Sequence, residues 1–456
     1  MSEINLEERL EELKNQGYAV QELIDALRKP DLSRFHLKDG RGNPKGVYDV
    51  AIFNHLCEEM DLFILGGVPW IYEGGAYRAD VSGAVLKSRI RELILPEFIK
   101  STTIKRVYDL FISAAELQAT YEDLNAYPAS WICFRNGFYD PISRKMIPHD
   151  PRYKAVNQLP HEFDPEAHPD GKAVEAWLQF IVPEPQDREM LLEFAGYCMT
   201  RDTRQQKFLI LSGEGGTGKS TLIRLIELMI GTDNISSISL GELSQRFAAF
   251  GLLGKLLNSC ADLELAALED VSILKKLLGE DQIRGEAKGK DAFPFRSFAK
   301  LIFSTNQLPV VKGEMTAGFY RRLLVLEMNR KPAVRRPDLF DELAKGLPYF
   351  IQICVEALSR MYERGTILSS DHSAEAVARL RRESDTVAAF LHDCAVRKHD
   401  GRLERGYLFE KYLAFCYEVE RQHLTKSNFF KSLRLKGISE VKTGGNWFFE
   451  GLALKE

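Results

Sequence analysis

Paired cysteines are missing from this 456-residue chain. Its seven cysteines, at 57, 133, 198, 260, 354, 394 and 416, are scattered, odd in number and never spaced C-x-x-C. That pattern argues against a disulfide framework or a cysteine zinc site and fits reduced thiols in a cytosol. No apolar run reaches the length a bilayer requires. Net positive charge is absent as well. The formal charge is −4, so any nucleic-acid site must be a local patch rather than a global field. Repeats and low-complexity tracts are not found. The opening "MSEINLEERLEELKNQG" has the pattern of a charged amphipathic helix, without the apolar centre of a signal peptide. His149, His161 and His168 share one stretch, but with no cysteine beside them they read as solvated loop residues rather than metal ligands. What is present is ordinary globular material. Apolar content is 45%, ample for cores, and the length suggests about three domains.

Composition divides the chain. Residues 1–147 form an expected N-terminal mixed domain, mostly helical, with a hairpin "VPWIYEGGAYRAD" turning on Gly74 and Gly75. Prolines at 148, 151, 160, 165 and 169 mark 148–172 as an extended connector. An α/β core is expected over 173–335, a helical segment over 336–380, and a separate unit over 381–456.

The core opens on "GEGGTGKST", residues 213–221. An apolar run, "KFLILS", precedes it, and "STLIRLIELMIG" follows with helical apolar spacing and Gly231 as a stop. Gly213, Gly218, Lys219 and Ser220 fit G-x-x-x-x-G-K-[ST], the P-loop. Its glycines let backbone N–H groups turn toward phosphate oxygens, and a helix N-terminus favours the anion. Gly213, Glu214, Gly215, Gly216, Thr217, Gly218, Lys219, Ser220 and Thr221 are therefore the expected ATP contacts. Lys219 would serve the β- and γ-phosphates and Ser220 a Mg²⁺ ion.

Three further stretches complete a hydrolytic set. "LLNSCADLE" (256–264) is an apolar strand expected to carry Asp262 and Glu264 on one face, aimed at the P-loop from the neighbouring strand. One acid would hold Mg²⁺, with Asp262 the expected ligand, and one would polarise the attacking water. Which acid does which stays open. "LIFSTNQLP" (301–309) ends in Asn306, a neutral amide suited to orienting water. "FYRRLLVLEM" (319–328) sets Arg321 and Arg322 before the last strand, where a guanidinium can stabilise charge on a transferring phosphoryl group.

Two stretches suit DNA. "GEDQIRGEAKGKDAFPFRS" (279–297) reads as a hairpin with Lys288 and Lys290 at its tip and Arg284 on one arm. At the C-terminus, two helical patterns precede a hairpin turning on Gly444 and Gly445, a winged-helix order. Residues 421–442 hold Arg421, Lys426, Lys431, Arg434, Lys436 and Lys442 against Glu440, a local charge of six minus one, +5. That is the footprint of a phosphate-binding face, with protein docking as the alternative.

The order of P-loop, acidic strand, basic hairpin, "FSTNQLP" and "YRRL" resembles the superfamily 3 helicases, in particular the phage, plasmid and poxvirus primase-helicases. "WICFRNGFYDPISRKMIPHDP" (131–151) is similar to the segment before the motor in that family. The resemblance implies an α/β fold with an AAA+-like P-loop ATPase core. It also implies ATP and Mg²⁺ as cofactors, a homo-oligomeric hexamer with Arg321 as finger (Arg322 assisting), and translocation 3′ to 5′ on single-stranded DNA opened from duplex. The activity implied is that of an ATP hydrolase and DNA helicase in replication of a mobile element. The alternative is an initiator or loader whose ATP state switches assembly. The acids here are separated by Leu263, whereas in many relatives two stand side by side. The N-terminal region shows neither paired aspartates nor a zinc motif, so a separate primase is the expected partner.

Overall fold

Odd and even positions of the apolar runs serve two different cores, and that alternation organises the larger part of the chain. The computed structural model describes residues 31–245, 248–261, 272–279, 281–285, 293–308, 317–334, 336–419, 421 and 423–455. The opening charged stretch lies outside them. The chain divides into two units, one of residues 1–126 and 150–156, the other of 127–149 and 157–456. Residues 127–147, expected with the N-terminal domain, thus pack with the second unit.

In the first unit a short pair, β1 (His36–Lys38) and β2 (Pro44–Val47), precedes α1 (Asp49–Glu59). An antiparallel meander follows: β3 (Leu62–Leu65), β4 (Val68–Glu73) and β5 (Ala76–Ala79). Its second turn falls on Gly74 and Gly75, both at positive φ. Helices α2 (Ala84–Glu92) and α3 (Ser101–Ser113) complete the unit, and Ile52, Leu56, Ile64, Ile71, Leu86, Ile90, Val107 and Phe111 form its core.

The second unit begins with a meander of β6 (Ile132–Phe134), β7 (Gly137–Asp140) and β8 (Lys145–Ile147). The stretch expected as a connector is extended but anchored. Leu159 donates its N–H to Cys133, and Asn157 bonds the Asn234 side chain at 3.0 Å. Helices α4 (Lys172–Ile181) and α5 (Pro185–Cys198) lead into a five-stranded parallel sheet. Its strands are β9 (Phe208–Ser212), β10 (Ile235–Ser236), β11 (Leu257–Cys260), β14 (Lys300–Thr305) and β15 (Leu323–Glu327), in the order β10-β11-β14-β9-β15. Between β11 and β14 a separate antiparallel pair forms, β12 (Ile283–Gly285) with β13 (Phe293–Phe295).

Every residue of β9 and β14 is buried, as a parallel sheet covered on both faces requires. Leu209, Leu211, Ile302, Leu324 and Leu326 face one core. They pack there with α6 (Lys219–Ile230), α4, α5 and the long α7 (Leu347–Arg364). Phe208, Ile210, Leu301, Phe303, Leu323 and Val325 face the other, where α8 (Asp371–Ser384) contributes Ala376 and Leu380. The helical stretch after 336 is therefore a wall of the sheet's own core. At the start of β14, Lys300 is buried over the Tyr197 ring at 4.6 Å and donates to the Thr200 and Phe298 carbonyls. Burial holds its pKa down to about 7.

The C-terminal part has its own core of Phe390, Leu408, Tyr412, Phe429, Leu433 and Phe449. Its order is α9 (Thr386–Cys394), β16 (Ala395–Glu404), α10 (Arg405–Glu418), α11 (Lys426–Leu435), β17 (Glu440–Thr443) and β18 (Asn446–Leu454). Thr425 caps α11, accepting from the Asn428 N–H. The sheet runs β16-β18-β17, with a turn on Gly444 and Gly445 at positive φ. Among the described residues no helix is long and apolar enough to cross a membrane.

Candidate functional site

The glycine loop sits at the C-terminal edge of the sheet between β9 and α6. Gly213 adopts φ +149 with its Cα against the Met328 carbonyl, which follows β15. Gly218, at φ +97, lies where a β-carbon would be 3.3 Å from Ile181 Cγ2. Both need the freedom that glycine alone has, one for close backbone approach and one for the left-handed turn into the helix. Among the described residues, the N–H groups of Gly215, Gly216 and Gly218 have no backbone or side-chain acceptor. Backbone donors without an acceptor beside a helix N-terminus suit an anion.

Lys219 is buried and folds back over this loop. Its Nζ donates to the Gly213 carbonyl, to the Glu214 carbonyl at 2.9 Å, and reaches Asn306 Oδ1 at 3.5 Å. Every one of these partners is neutral, so among the described residues no carboxylate balances its charge. Burial and, secondarily, the nearby Lys331 ammonium lower its pKa. Lys331 pairs with Glu214 Oε2 at 2.5 Å and holds that carboxyl below the usual range. Lys331 was not singled out from the sequence. It lies 117 positions from its partner, so no local pattern points to the pair.

The three stretches around the loop differ in where they fall. Asn306 stands at the end of β14, whose Thr305 carbonyl accepts from the Gly213 N–H at 3.3 Å. The acidic strand is not the neighbour of β9. β14 lies between them, pairing with β9 on one side and β11 on the other. β11 itself ends at Cys260, two residues short of Asp262. The expectation of a direct neighbour is corrected because sheet order follows crossover connections, not chain order. Asp262 and Glu264 lie outside the described residues. Ser304 Oγ does reach the Ala261 carbonyl, so the chain enters that stretch from beside β14.

The two arginines separate clearly. Arg322 is half-buried and donates to the Gly318 carbonyl at 2.8 Å and to Gln206 Oε1 at 2.9 Å. Arg321 is exposed. Its carbonyl accepts from Lys207 Nζ at 2.6 Å, and its guanidinium has no bonded partner among the described residues.

Of the hairpin between β11 and β14, the arms are described: Ile283 pairs with Phe295 and Arg284 with Pro294. Ile283 and Phe295 are buried in the second core, which fixes the arms to the sheet. Lys288, Lys290 and the Arg284 side chain lie outside the described residues.

The C-terminal basic stretch divides as well. Lys426, Lys431 and Lys442 are exposed. Lys436 instead pairs with Asp385 Oδ2 at 2.5 Å, and Asp385 also caps α9. Arg434 pairs with Glu440 at 3.0 Å. Glu440 is already counted in the sequence charge of +5, and the Lys436 pair with Asp385 lowers it by one more. The hairpin adds a feature the sequence reading passed over. Trp447, opposite Lys442 and partly exposed, has the Arg405 guanidinium at 5.6 Å, and Arg405 also lies 4.1 Å over Phe430.

Two of the three histidines of the connector bond backbone carbonyls. His149 reaches Arg135 at 3.1 Å and His161 reaches Leu228 at 2.9 Å. Among the described residues no cluster of histidine, cysteine and carboxylates could hold a metal.

Comparison with known proteins bears on these features. Residues 70–183 match the family described as D5 N terminal like, and 211–322 match a family of unknown function, DUF5906. "Putative helicase L207/L206" of Acanthamoeba polyphaga mimivirus is 26% identical over 229 residues, 48% of this chain and 23% of that protein. The chain thus spans about a quarter of that relative's length. Two solved apo structures of the NrS-1 C-terminal region share the fold. One has a TM-score of 0.52 at 14% identity and covers 89% of this chain and 99% of its own. The other has a TM-score of 0.52 at 12% identity and covers 89% of this chain and all of its own, 100%.

Proposed function

We propose that this chain, part of which matches the D5 N terminal like family, is an ATP-driven DNA helicase of the phage-type primase-helicase kind, acting in replication of a phage, plasmid or genomic island. One observation carries the reading. Among the described residues Lys219 is a buried cation with only neutral partners, poised over a loop in which the N–H groups of Gly215, Gly216 and Gly218 have no acceptor, beside Asn306 at the end of β14. A triphosphate supplies the missing negative charge.

The residues divide the work as follows. Loop N–H groups and Lys219 bind phosphate, with the loop from Glu214 to Thr221 as the cradle. Ser220, at the start of α6, would hold Mg²⁺ with Asp262, and the ion would offset charge on the phosphate oxygens. Asn306 orients water, and one of Asp262 and Glu264 accepts its proton. Arg321, exposed and without a bonded partner among the described residues, would serve a neighbouring subunit's site in a hexameric ring. Arg322 is occupied in holding β15 to the turn before β9. The Lys288 and Lys290 tip tracks one strand, 3′ to 5′. The C-terminal module is a winged helix that grips duplex DNA through Lys426, Lys431 and Lys442. A separate primase would complete the replication machinery.

Strand displacement on a tailed duplex tests the proposal, with Lys219→Ala as control. ATP-dependent unwinding that the variant lacks is expected. Hydrolysis without displacement would favour the initiator or loader reading, and Lys219→Ala turnover near wild type would remove the site assignment. Changing Lys288 and Lys290 to alanine is expected to spare basal hydrolysis and abolish unwinding.

A further inference from the structure

A cavity of about 270 Å³ opens beside the glycine loop. Its walls continue directly from residues that touch the loop. Ile181, beside Gly218, is followed by the lining residues Val182 and Pro183, and Met328, beside Gly213, by Asn329. Val182 and Val325 are buried and supply apolar surface. Asp187, on α5, lines the same space and is only 8% exposed. Its Oδ2 is taken by His372 Nδ1 at 3.0 Å, from the first turn of α8. Its Oδ1 is buried with no hydrogen-bond partner among the described residues. A buried carboxylate oxygen left without a donor is costly, which marks a place for one that arrives with a ligand.

The surroundings select the ligand's chemistry. Arg379, which also lines the cavity, is paired with Glu327, and Glu184, Glu375 and Asp187 outnumber the remaining Arg330, so a second phosphate is disfavoured. A flat, uncharged group with an N–H to give fits between the apolar walls. With Oδ2 engaged by His372, only one acceptor remains. That suits a single exocyclic amine and not the paired donors of a guanine edge.

We propose that this cavity receives the adenine of the nucleotide held on the glycine loop, with Asp187 Oδ1 accepting a hydrogen from the 6-amino group. The proposal rests on the reading of that loop as the triphosphate site. His372, across 185 positions of chain, fixes the Asp187 carboxylate and is a positioning residue. Because His372 belongs to α8, filling the cavity ties that helix to α5 and to the end of β15.

Calorimetric titration of the intact protein with Mg²⁺ and four probes tests it: ATP, purine riboside triphosphate, which lacks the amine, ITP, which carries an oxygen there, and tripolyphosphate. Wild type is expected to prefer ATP over both analogues by about tenfold, the loss that accompanies an unpaired buried acceptor. In Asp187→Asn the His372 bond can persist while an amide N–H replaces the free oxygen. The ATP preference should then vanish and ITP gain, with tripolyphosphate affinity unchanged and the melting temperature close to wild type. Equal wild-type affinity for the three nucleoside triphosphates, which needs no variant, overturns the base pocket while leaving the loop assigned. Retained ATP preference in Asp187→Asn also overturns it. Failure of tripolyphosphate to bind at all overturns the loop reading and this proposal together.

Discussion

Gly213 lies so close to the Met328 carbonyl that a β-carbon on it would fall inside van der Waals contact of the oxygen. The two residues are linked in the other direction too, since Met328 donates its N–H to the Ser212 carbonyl at 2.7 Å. The start of the glycine loop is therefore set by backbone meeting backbone, which no rotamer change can relieve. Gly213→Ala should cost on the order of 2–4 kcal/mol in stability, combining a left-handed φ with a backbone clash. Chemical denaturation measures the loss. Gly215→Ala meets open space and is expected to leave stability within about 0.5 kcal/mol of wild type.

Arg321 and Arg322 are neighbours with opposite expectations. Arg322→Ala removes bonds to Gly318 and Gln206 and should lower the melting temperature. Arg321→Ala should leave melting unchanged and reduce hydrolysis by roughly 10³–10⁵ if its guanidinium acts across a subunit boundary. Mixing Arg321→Ala with Lys219→Ala should restore part of the activity. A Arg321→Ala protein that hydrolyses normally in assembled form would count against the finger.

Lys300 gives a pH signature. Burial depresses its pKa to about 7 from the ordinary lysine value of 10.5. Between those values the unfolded chain binds a proton that the folded chain does not, so stability rises with pH across that interval. Conversely, this contribution is lost as pH falls toward and through 7. Relative to Lys300→Met, wild type should gain stability between pH 7 and pH 10. Denaturation curves at both pH values read the difference directly, and parallel behaviour of the two proteins would show that the ammonium is not desolvated.

The C-terminal lysines separate by partner. Lys431→Ala and Lys442→Ala should weaken DNA binding and reduce the salt slope by about one each, as counterion release requires. Lys436→Ala breaks the Asp385 pair between α11 and α9 and should act on the melting of the module instead. A salt series with fluorescent duplex distinguishes the two.

Legibility in the sequence followed the distance over which each feature is decided. The glycine loop was readable because its chemistry is contiguous: strand, turn residues and helix lie within 208–230. The two Gly-Gly turns were readable for the same reason. The place of β14 between β9 and β11 was not, because it depends on pairing across some ninety positions that no local pattern encodes. The strand β16 escaped because "AVRKHDGRLE" is mostly charged and its register shifts between Arg397 and Arg402. The division between Arg321 and Arg322 turns on Gln206, 116 positions from its partner. The Asp187 and His372 pair has no local signal at all, since each residue looks like an ordinary polar helix position until α5 and α8 are brought together.

The central placement of β14 has a consequence for how the chain can vary in length. Residues 302–305 are bonded in step to β9, and residues 300–303 to β11. Inserting or deleting one residue within 300–305 would turn Ile302 and Phe303 each toward the wrong core and slip both ladders together. No compensating change in one neighbour could restore the other. Length variation among descendants of this sequence should therefore collect in the turns beyond the sheet and be purged from these six positions, where a frameshift of a single side chain uncouples the glycine loop from the strands on both sides of β14.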